Sequence, residues 1–355
     1  MPRGGDAVTE LPRYPLAQLP TPITDATRLR EALGGRAKCP RILIKRDDLT
    51  GLGLGGNKAR KLEYLVADAL AAGADTLVTT GAVQSNHARM TAAAARIAGL
   101  RCVLVLTTRE AEPALEGNLL LDRLFGAEVR FVPAEDPMLA VGRDEEVVAQ
   151  VVTEEAAAGR KAYVIPVGGS SAIGSIGYVT GTAELAGQLR ETGVAPSRLY
   201  YASGSRGTQA GLTLGAKLSE APYRLWGVAV SAGEPEKIER AKKAANEAAA
   251  RLGVEARVDH ADLFTDQGFI GEGYGIPTAA GLEAIELLAT TEAILLDPVY
   301  TSKGFSALLR HVRDGLIPPD ETIVFLHTGG MPALFTRAFV AQGRGLVDGR
   351  AGDRP

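Results

Sequence analysis

The sequence predicts an α/β fold with two open, twisted, mainly parallel sheets flanked by helices. Short apolar runs alternate along the chain with longer runs that repeat apolar residues every three or four positions. This alternation is typical of parallel sheets that carry helices on both faces. Gly168 and Gly169 separate two such series, so we expect two units joined by a hinge there. Ligands of such folds bind at the carboxyl ends of the strands, which predicts a site in the cleft.

The first series of elements runs from residue 42 to residue 166. Each predicted strand is a short run of aliphatic and β-branched residues, which suit a sheet buried on both faces. These strands cover residues 42–44, 76–80, 101–106, 128–132 and 162–166. Each predicted helix has an apolar stripe, and most are followed by a glycine, which favours a helix end. These helices cover residues 57–72, 86–98, 116–125 and 145–158.

The second series runs from residue 177 to residue 327 and is assigned by the same criteria. Its helices are predicted over residues 177–192, 208–218, 234–252, 279–290 and 302–314. Its strands are predicted over residues 198–202, 225–230 and 322–327. We assign residues 57–167 to a small unit and residues 1–56 with 168–355 to a large unit.

Composition and charge exclude several classes of function. The 355 residues carry a formal net charge of -3, with a pI of about 5.9, so we expect no nucleic-acid partner and no membrane partner. No apolar run reaches the ~18 residues that cross a bilayer, and the first 22 residues lack a signal-peptide core. Two cysteines and four histidines show no metal-ligand spacing, so no metal is expected. These observations favour a cytoplasmic enzyme.

A glycine-rich loop before the first helix has the spacing GxGxxG at Gly51, Gly53 and Gly56. That spacing indicates a dinucleotide site when it directly follows a strand and the next strand ends in an acid. Neither condition holds here, so an NAD-dependent oxidoreductase is kept only as an alternative. Lys58 opens the helix among other cations, where a lysine loses its proton more easily and can form a Schiff base. A solvated basic helix start is the competing interpretation.

Two further strand-to-helix turns carry groups that attract anions. Ser85 and Asn86 precede a helix, where they suit either an N-cap or a carboxylate or phosphate site. Residues 202–211 combine glycines and hydroxyls, which suits a phosphate, although an ordinary tight turn would look similar. This second turn is not a P-loop because the GK[ST] sequence is missing.

Two tyrosines lie in loops near the end of the chain. Tyr274 lies among glycines in residues 271–277, and Tyr300 lies in residues 296–304. A tyrosine with little local core to pack against can face a ligand, or it can be a half-buried packing residue. His327, Thr328 and two glycines end the last strand, at the edge where parallel sheets bind ligands.

Together these motifs resemble the pyridoxal-phosphate enzymes of fold type II, in the branch that holds D-cysteine desulfhydrase and 1-aminocyclopropane-1-carboxylate deaminase. GGNKxRKLE with QSN at this spacing is far more specific than a lone glycine motif. The matching stretches, in family order, are IKRDDLTGLGLGGNKARKLE, GAVQSNHARM, YVIPVGGSSAIGSIGYV, ASGSRGTQAGL, GYGIP, LDPVYTSKG and FLHTGG. They extend over nearly the whole chain. The resemblance implies a tryptophan synthase β-like fold with pyridoxal 5'-phosphate in the interdomain cleft, and a homodimer.

The resemblance also implies chemical roles for the matching residues. Lys58 would bind the cofactor aldehyde as a Schiff base and move protons, with Ser85 helping in proton transfer. Asn86 would hydrogen-bond the ring oxygen of the cofactor. Tyr274 and Tyr300 would flank a small amino-acid substrate and complete the catalytic set.

Binding of the phosphate and of the substrate carboxylate is implied in the same way. Lys61 and the turn that follows the strand 198–202 would hold the phosphate. The residues of this turn are Ser203, Gly204, Ser205, Arg206, Gly207 and Thr208. The substrate carboxylate would be bound by Ser85, Asn86 and His87.

Thr301 decides between the two branches of the family. It would face the pyridine nitrogen, where the deaminases carry a carboxylate that keeps the ring protonated and a strong electron sink. A neutral threonine favours β-elimination of a good leaving group, and His87 and Thr328 also match the desulfhydrase pattern. The expected reaction removes the Cα proton of D-cysteine and expels sulfide, and the aminoacrylate then hydrolyses to pyruvate and ammonia.

Three residues depart from the family pattern: Arg206, Met90 and Ser302. If Arg206 points into the cleft, it could pair with an anionic substrate tail, which keeps L-cysteate sulfo-lyase activity open. If instead it points to solvent or reinforces the phosphate site, that activity loses its support. Two more hypotheses stay open, namely 1-aminocyclopropane-1-carboxylate deaminase activity and a non-catalytic amino-acid-binding protein on this fold.

Overall fold

The strands form two separate sheets, as the sequence predicts. A computed structural model describes residues 11–134 and 143–341. The six-stranded sheet has the order β1-β2-β10-β7-β8-β9, and the four-stranded sheet has the order β5-β4-β3-β6. Every pairing is parallel except that of β1 with β2, so the fold is the predicted α/β architecture with mainly parallel sheets.

The element bounds agree closely with the predicted ranges. The strands are β1 (Ile23–Asp25), β2 (Arg41–Arg46), β3 (Thr76–Ala82), β4 (Arg101–Thr108), β5 (Glu128–Pro133), β6 (Ala162–Ile165), β7 (Arg198–Ser203), β8 (Arg224–Ala229), β9 (Thr265–Asp266) and β10 (Thr322–His327). The helices are α1 (Thr27–Ala32), α2 (Lys58–Ala71), α3 (Asn86–Ala98), α4 (Gly117–Leu124), α5 (Arg143–Ala157), α6 (Ala172–Thr192), α7 (Gly207–Leu218), α8 (Glu236–Arg251), α9 (Ala279–Glu292) and α10 (Thr301–Arg313).

Helices cover both faces of the six-stranded sheet, as the central strand β10 illustrates. Side chains alternate along a strand, so Ile323 and Phe325 point to one face and Val324 and Leu326 to the other. The first pair packs in a core with α1, α9 and α10, and the second pair packs in a core with α6 and α7. All four residues are fully or almost fully buried. The sequence signature of this strand is therefore a continuous apolar run.

The smaller sheet consists of β3 to β6, which all lie within residues 57–167. The helix α2 lies between the two sheets, because it packs against both α3 and α6. Its apolar face, which includes Leu62 and Val66, belongs to the core of the smaller sheet. Its other face carries Tyr64, which packs with α6 and α8. The start of α2 therefore lies where the two sheets meet.

The start of α6 differs from the predicted helix over residues 177–192. The helix begins at Ala172 and is capped by Ser171, whose hydroxyl accepts a hydrogen bond from the Gly174 amide. Gly177 lies inside the helix, where a Cβ atom would come within 2.2 Å of the Arg60 carbonyl oxygen of α2. Gly177 thus allows the two helices to approach closely. Within the described ranges, none of the helices is long and apolar enough to cross a membrane.

Candidate active site

Lys58 is the first residue of α2, directly after the glycine-rich loop. Its side chain is half-buried, and its amine donates to the Asn57 side-chain oxygen at 3.0 Å. Burial lowers the pKa of Lys58 to about 8, with a further contribution from Arg89, while Asp297 opposes the shift. A lysine with such a pKa is partly neutral near pH 7.5, which is the form that attacks an aldehyde.

The glycine-rich loop is held in place by the buried side chain of Arg89 on α3. Its guanidinium donates to the carbonyl oxygen of Gly53 and, at 3.1 Å, to that of Gly55. The hydroxyl of Thr50 also accepts from the Gly56 amide at 2.8 Å. These contacts fix the backbone just before Lys58. The glycines of the formal GxGxxG thus serve a turn that presents a lysine.

Lys61, one turn further along α2, lies against the turn that starts α7. Its ammonium is fully buried and donates to the Gly168 carbonyl at 3.0 Å. A Cβ atom on Gly207 would come within 2.8 Å of this ammonium. Beside them, the Ser170 hydroxyl donates to the Ser205 hydroxyl at 2.8 Å and accepts from the Gly207 amide at 3.2 Å. Ser170, Ser205 and Gly207 also line a cavity of about 120 Å³.

This arrangement fits the phosphate of pyridoxal phosphate. Burial, and secondarily the nearby Lys58, holds the pKa of Lys61 well below its usual value. Among the described residues its hydrogen-bond partner is the neutral Gly168 carbonyl, so the protonated form of Lys61 has no counter-ion there. The first turn of α7 adds free backbone N–H groups and the positive end of the helix dipole. A dianionic phosphate would supply the charge that this site lacks.

Of the three placements considered from the sequence, Arg206 points neither into the cleft nor to solvent, and its buried contacts agree with the third, a side chain that reinforces the turn. The residue is 2% exposed. Its guanidinium pairs with Glu234 and donates to Gln209 at 2.9 Å and to Thr265. Burial lowers the pKa of Arg206 to about 10, so the side chain stays charged. The Arg206 side chain holds the turn of residues 203–208 (the phosphate turn) from the side of Gln209, Glu234 and Thr265. Only the backbone of Arg206 can therefore face a phosphate.

The rest of the turn from Ser203 to Thr208 lies around Tyr300 and the start of α2. The hydroxyl of Ser203 lies on the Arg206 side, where it contacts Gln209 at 3.2 Å. A Cβ atom on Gly204 would touch the Tyr300 ring at 3.4 Å. The Thr208 hydroxyl accepts from the Asn57 side chain at 3.0 Å. The turn and the Lys58 helix are thus directly connected.

The Ser85–Asn86 loop joins the end of β3 to the start of α3. Ser85 is the N-cap of α3, and its hydroxyl accepts from the Ala88 amide at 3.2 Å. Asn86 is half-buried, and its side-chain oxygen accepts from Asn118 at 3.1 Å. The amides of Asn86 and His87 are the first in the helix and have no acceptor within it. A substrate carboxylate suits this position.

The His87 side chain lies beneath the loop. Its ring is buried, with Nε2 at 3.0 Å from the Thr79 hydroxyl and Nδ1 without a partner among the described residues. Burial, with Lys58 and Lys61, keeps the pKa of His87 well below its usual value, so the ring is neutral. His87 was predicted to bind the substrate carboxylate. Its backbone amide, in the first turn of α3, is better placed for this contact than its buried ring.

The structure brings the side chains of Tyr274 and Tyr300 together. Their hydroxyls are directly hydrogen-bonded, and their rings meet edge to face with centroids 5.8 Å apart. Both rings are half-buried. Burial raises the pKa of Tyr274, and that of Tyr300 lies well above its usual value because burial is reinforced by Tyr274.

Thr301 begins α10 and is fully buried. Its hydroxyl donates to the Asp297 carboxylate at 2.7 Å and accepts from the Asp297 amide at 2.7 Å. The other oxygen of this carboxylate accepts from the Val299 and Tyr300 amides at 2.8 and 2.9 Å. The single proton of the Thr301 hydroxyl is therefore directed at Asp297, and the threonine brings no charge of its own to this position.

Several residues of this region were not predicted from the sequence. Asp297 organises the loop of Tyr300 and Thr301. The buried ammonium of Lys303 donates to the carbonyls of Ile270 and Gly273 at 2.7 and 2.8 Å, and so ties down the Tyr274 loop. Both Asp297 and Lys303 lie within the LDPVYTSKG stretch, so the family resemblance could have indicated that they belong to the site. Asn118 belongs to none of the matching stretches.

Comparisons with known proteins agree with this geometry. The profile of the family described as "Pyridoxal-phosphate dependent enzyme" matches residues 14–329. D-cysteine desulfhydrase from Salmonella choleraesuis (strain SC-B67) is 43% identical over 92% of this chain and 97% of its own length. The same enzyme from Salmonella newport (strain SL254) is 42% identical over the same shares.

Solved structures give the same result for the fold. A structure described as an ACC deaminase homologue is 38% identical, with a TM-score of 0.83 over 98% of this chain and 99% of that one. A threonine deaminase of T.th. is 25% identical, with a TM-score of 0.57 over 87% and 92% of the two chains. Because these matches span both sheets and almost the entire sequence, the chain belongs to the family of pyridoxal-phosphate-dependent enzymes.

Proposed function

We propose that this chain is a carbon–sulfur lyase that catalyses β-elimination on D-cysteine to give pyruvate, sulfide and ammonia. The observation that carries the proposal is the pair of lysines on α2. Lys58 has a pKa of about 8, and Lys61 is a buried amine whose protonated form has no counter-ion, beside the turn of residues 203–208. The similarity to D-cysteine desulfhydrases over nearly the full length supports this choice of substrate.

Binding of the cofactor is divided among three elements. The Lys61 ammonium and the backbone of Ser205 to Thr208 would hold its phosphate, and Asn86 would donate to its ring oxygen. Lys58 would bind its aldehyde. When bound, pyridoxal phosphate supplies an electron sink for the electrons released at Cα.

Substrate binding and proton transfer would take place beside Lys58. The free amides at the start of α3 would bind the carboxylate, and Tyr274 and Tyr300 would enclose the side chain. The Lys58 amine would take the Cα proton, with Ser85 as the neighbouring hydroxyl that helps to move it. The hydrogen bond between the two tyrosines would keep one hydroxyl directed at the leaving sulfur.

Deamination of the cyclopropane amino acid is the second candidate activity, because an ACC deaminase homologue shares the fold at 38% identity. Thr301 argues against it, since a threonine lacks the charge that would keep the pyridine nitrogen protonated. L-Cysteate elimination loses its support, because Arg206 faces Glu234 rather than the cleft. An NAD-dependent oxidoreductase is also disfavoured, because the glycine loop presents a lysine.

The deciding experiment assays the purified holoenzyme with D-cysteine, L-cysteine, L-cysteate and the cyclopropane amino acid. We expect sulfide and pyruvate from D-cysteine, and little product from the remaining three. Lys58→Ala should lose both the yellow absorption band and turnover. Release of 2-oxobutyrate from the cyclopropane substrate at a comparable rate would overturn the Thr301 argument.

We also propose that the chain is a homodimer and acts in the cytoplasm. The family resemblance is what supports the dimer, and Leu124 and Phe335, which are 69% and 68% exposed, are the side chains that we would test for a contact. Cys39 and Cys102 are buried free thiols, which suits a reducing compartment. Light scattering at several concentrations tests the dimer, and cell fractionation tests the compartment.

A further inference from the structure

We infer that Asn118 is a positioning residue that sets the orientation of the Asn86 amide, so that the nitrogen of Asn86 faces the ring oxygen of the cofactor. The inference rests on the proposed role of Asn86. Asn118 lies in α4, which contains none of the site residues predicted from the sequence. Asn118 is fully buried and lies 32 residues from Asn86 in the chain.

The hydrogen bonds determine which end of the Asn118 amide points toward the loop. The Asn118 side-chain nitrogen lies 2.9 Å from the backbone carbonyl of Gln84. A carbonyl oxygen can only accept, so the group that faces it must be the NH₂ and cannot be the oxygen. This partner therefore fixes the orientation of Asn118.

The orientation of Asn86 follows from that of Asn118. The second hydrogen of the same NH₂ group points at Asn86, 3.1 Å away. Only the oxygen of Asn86 can accept it, so the oxygen is turned toward α4 and the nitrogen toward the opposite side. Within the described part of the chain, that nitrogen has no hydrogen-bond acceptor. It is a donor left free beside the start of α3.

The loop and α4 are also connected through Gln84, which keeps Asn118 in place. The Gln84 side-chain oxygen accepts from the backbone N–H of Asn118 at 2.8 Å. The Gln84 side-chain nitrogen donates to the Glu116 carbonyl at 3.1 Å. The oxygen of Asn118 itself is buried and has no partner among the described residues. Asn118 therefore gives up one of its own hydrogen bonds in an arrangement that directs Asn86.

A free donor and a free acceptor would act on the cofactor in opposite ways. The ring oxygen of pyridoxal phosphate carries negative charge, which an N–H group stabilises and an amide oxygen repels. Stabilising this charge lowers the pH at which the yellow chromophore loses its proton. The midpoint of that titration therefore reports which end of Asn86 faces the ring.

The experiment titrates the absorbance of the holoenzyme against pH in the wild type, Asn118→Ala and Asn118→Asp. In Asn118→Ala the Asn86 amide is free to turn, so its nitrogen faces the ring oxygen only part of the time and the midpoint should rise by up to about one unit. Asn118→Asp keeps the shape but cannot donate to Gln84 or Asn86 when ionised, so it should raise the midpoint at least as much. Melting temperatures confirm that each variant is folded.

Two comparison variants distinguish a failure of the inference about Asn118 from a failure of the role proposed for Asn86. Asn86→Ala should raise the midpoint at least as much as Asn118→Ala does, and the double variant should raise it no further than Asn86→Ala. Asn246→Ala removes a pair of side-chain hydrogen bonds from α8 to Val258 and should leave the midpoint unchanged.

Each outcome has one meaning. If the wild type shows no yellow chromophore, the proposed function fails. If Asn86→Ala leaves the midpoint unchanged, the role of Asn86 fails and the inference with it. If Asn86→Ala shifts the midpoint but both folded Asn118 variants match the wild type, the inference about Asn118 is overturned.

Discussion

At the scale of single residues, the charge of Lys58 depends on three surrounding influences. Burial is the largest, and the guanidinium of Arg89 acts in the same direction, whereas Asp297 opposes both. Arg89 and Asp297 also have structural roles, since one holds the glycine loop and the other holds the start of α10. The groups that shape the site are thus the groups that adjust the reactivity of its lysine.

Removing the charge of Asp297 should lower the pKa of Lys58 further. In the apoenzyme, only the neutral amine captures the cofactor aldehyde, so the capture rate should rise with pH with a midpoint near 8. In Asp297→Asn this midpoint should move to lower pH, because the carboxylate that favoured the ammonium is gone. Stopped-flow absorbance measures the rate. Asp314→Asn, at the far end of α10, serves as the control, and a midpoint that moves upward in Asp297→Asn contradicts the prediction.

Lys303 should control the position of Tyr274 through the two carbonyls that it binds. Lys303→Met removes both hydrogen bonds, so the Tyr274 loop loosens and kcat/KM falls by about tenfold or more. The yellow band of the bound cofactor should persist, because Lys58 is untouched. Lys161→Met is a matched control, since Lys161 also donates to a backbone carbonyl but at an exposed position. Equal kcat/KM in both variants would exclude this role.

At the scale of elements, the contact between α2 and α6 depends on a missing side chain. Gly177 lets the backbones approach, because a Cβ atom there would lie 2.2 Å from the Arg60 carbonyl. Since α2 carries both lysines, its distance from α6 also sets the distance from Lys61 to the Gly168 carbonyl. A small change in this packing therefore reaches the phosphate site directly.

Two substitutions in α6 should have opposite effects on stability. Gly187→Ala fills open space and replaces a glycine in a helix, which should stabilise the protein by about 1 kcal/mol. Gly177→Ala gains the same helix propensity but forces α2 away, so the melting temperature should fall. Thermal unfolding of the two variants gives the comparison. A stabilised Gly177→Ala would mean that the two helices can separate at little cost.

At the scale of the whole molecule, a buried ionic cluster connects α2 to the six-stranded sheet. Arg60 of α2 donates to Asp47 after β2 and to Glu184 of α6. Asp47 also accepts from Thr21 and Tyr178 at 2.7 Å each. Burial alone would raise the pKa of Asp47 and Glu184, but their hydrogen bonds and charges with Arg60 lower both. Both groups are therefore ionised in the folded protein near pH 7.

This cluster should make the folded protein sensitive to acid. Because the folded pKa values are lowered, the stabilisation is present above the unfolded value of about 4 and is lost as pH falls through the folded values. Asp47→Asn should reduce the free energy of unfolding at pH 7 by roughly 3 kcal/mol and flatten its decline in acid. Denaturant unfolding at several pH values measures both effects.

An exposed ion pair provides the control for the cluster. Glu283, whose partner is Arg313, is about half exposed, so Glu283→Gln should change the free energy of unfolding by less than about 1 kcal/mol. If Asp47→Asn is no more destabilising than Glu283→Gln, the cluster does not stabilise the fold.

Much of the fold follows from local patterns. The predicted strand over residues 198–202 is β7, and the helix over residues 86–98 is α3, because a buried parallel strand and an amphipathic helix each have a clear period. The elements β1 and β9 were not predicted, since three and two residues carry too little pattern. The start of α6 was missed because the prediction began at Gly177, whereas the helix begins at Ala172 with Ser171 as its N-cap.

The site was predictable only where its residues fall in a local motif. Glycines and polar groups beside helix starts singled out Lys58, Ser85 and the turn of residues 203–208, and the family resemblance supplied their expected roles. Asn118 and Lys303 act on partners about 30 residues away, so their roles depend on how distant elements pack. The direction of Arg206 likewise depends on Glu234, which no local pattern connects to the turn.

The position of β10 has a consequence for how the protein is made. It is the last strand within the described residues, yet it lies between β2 and β7 in the sheet. Beyond it, the Thr328 carbonyl accepts from the Asn57 amide, next to Lys58. A chain emerging from the ribosome can complete the smaller sheet early. The larger sheet is incomplete until β10 and residue 328 have emerged. Cofactor capture must therefore follow synthesis of nearly the whole chain, so ribosome-bound fragments that stop before β10 remain colourless.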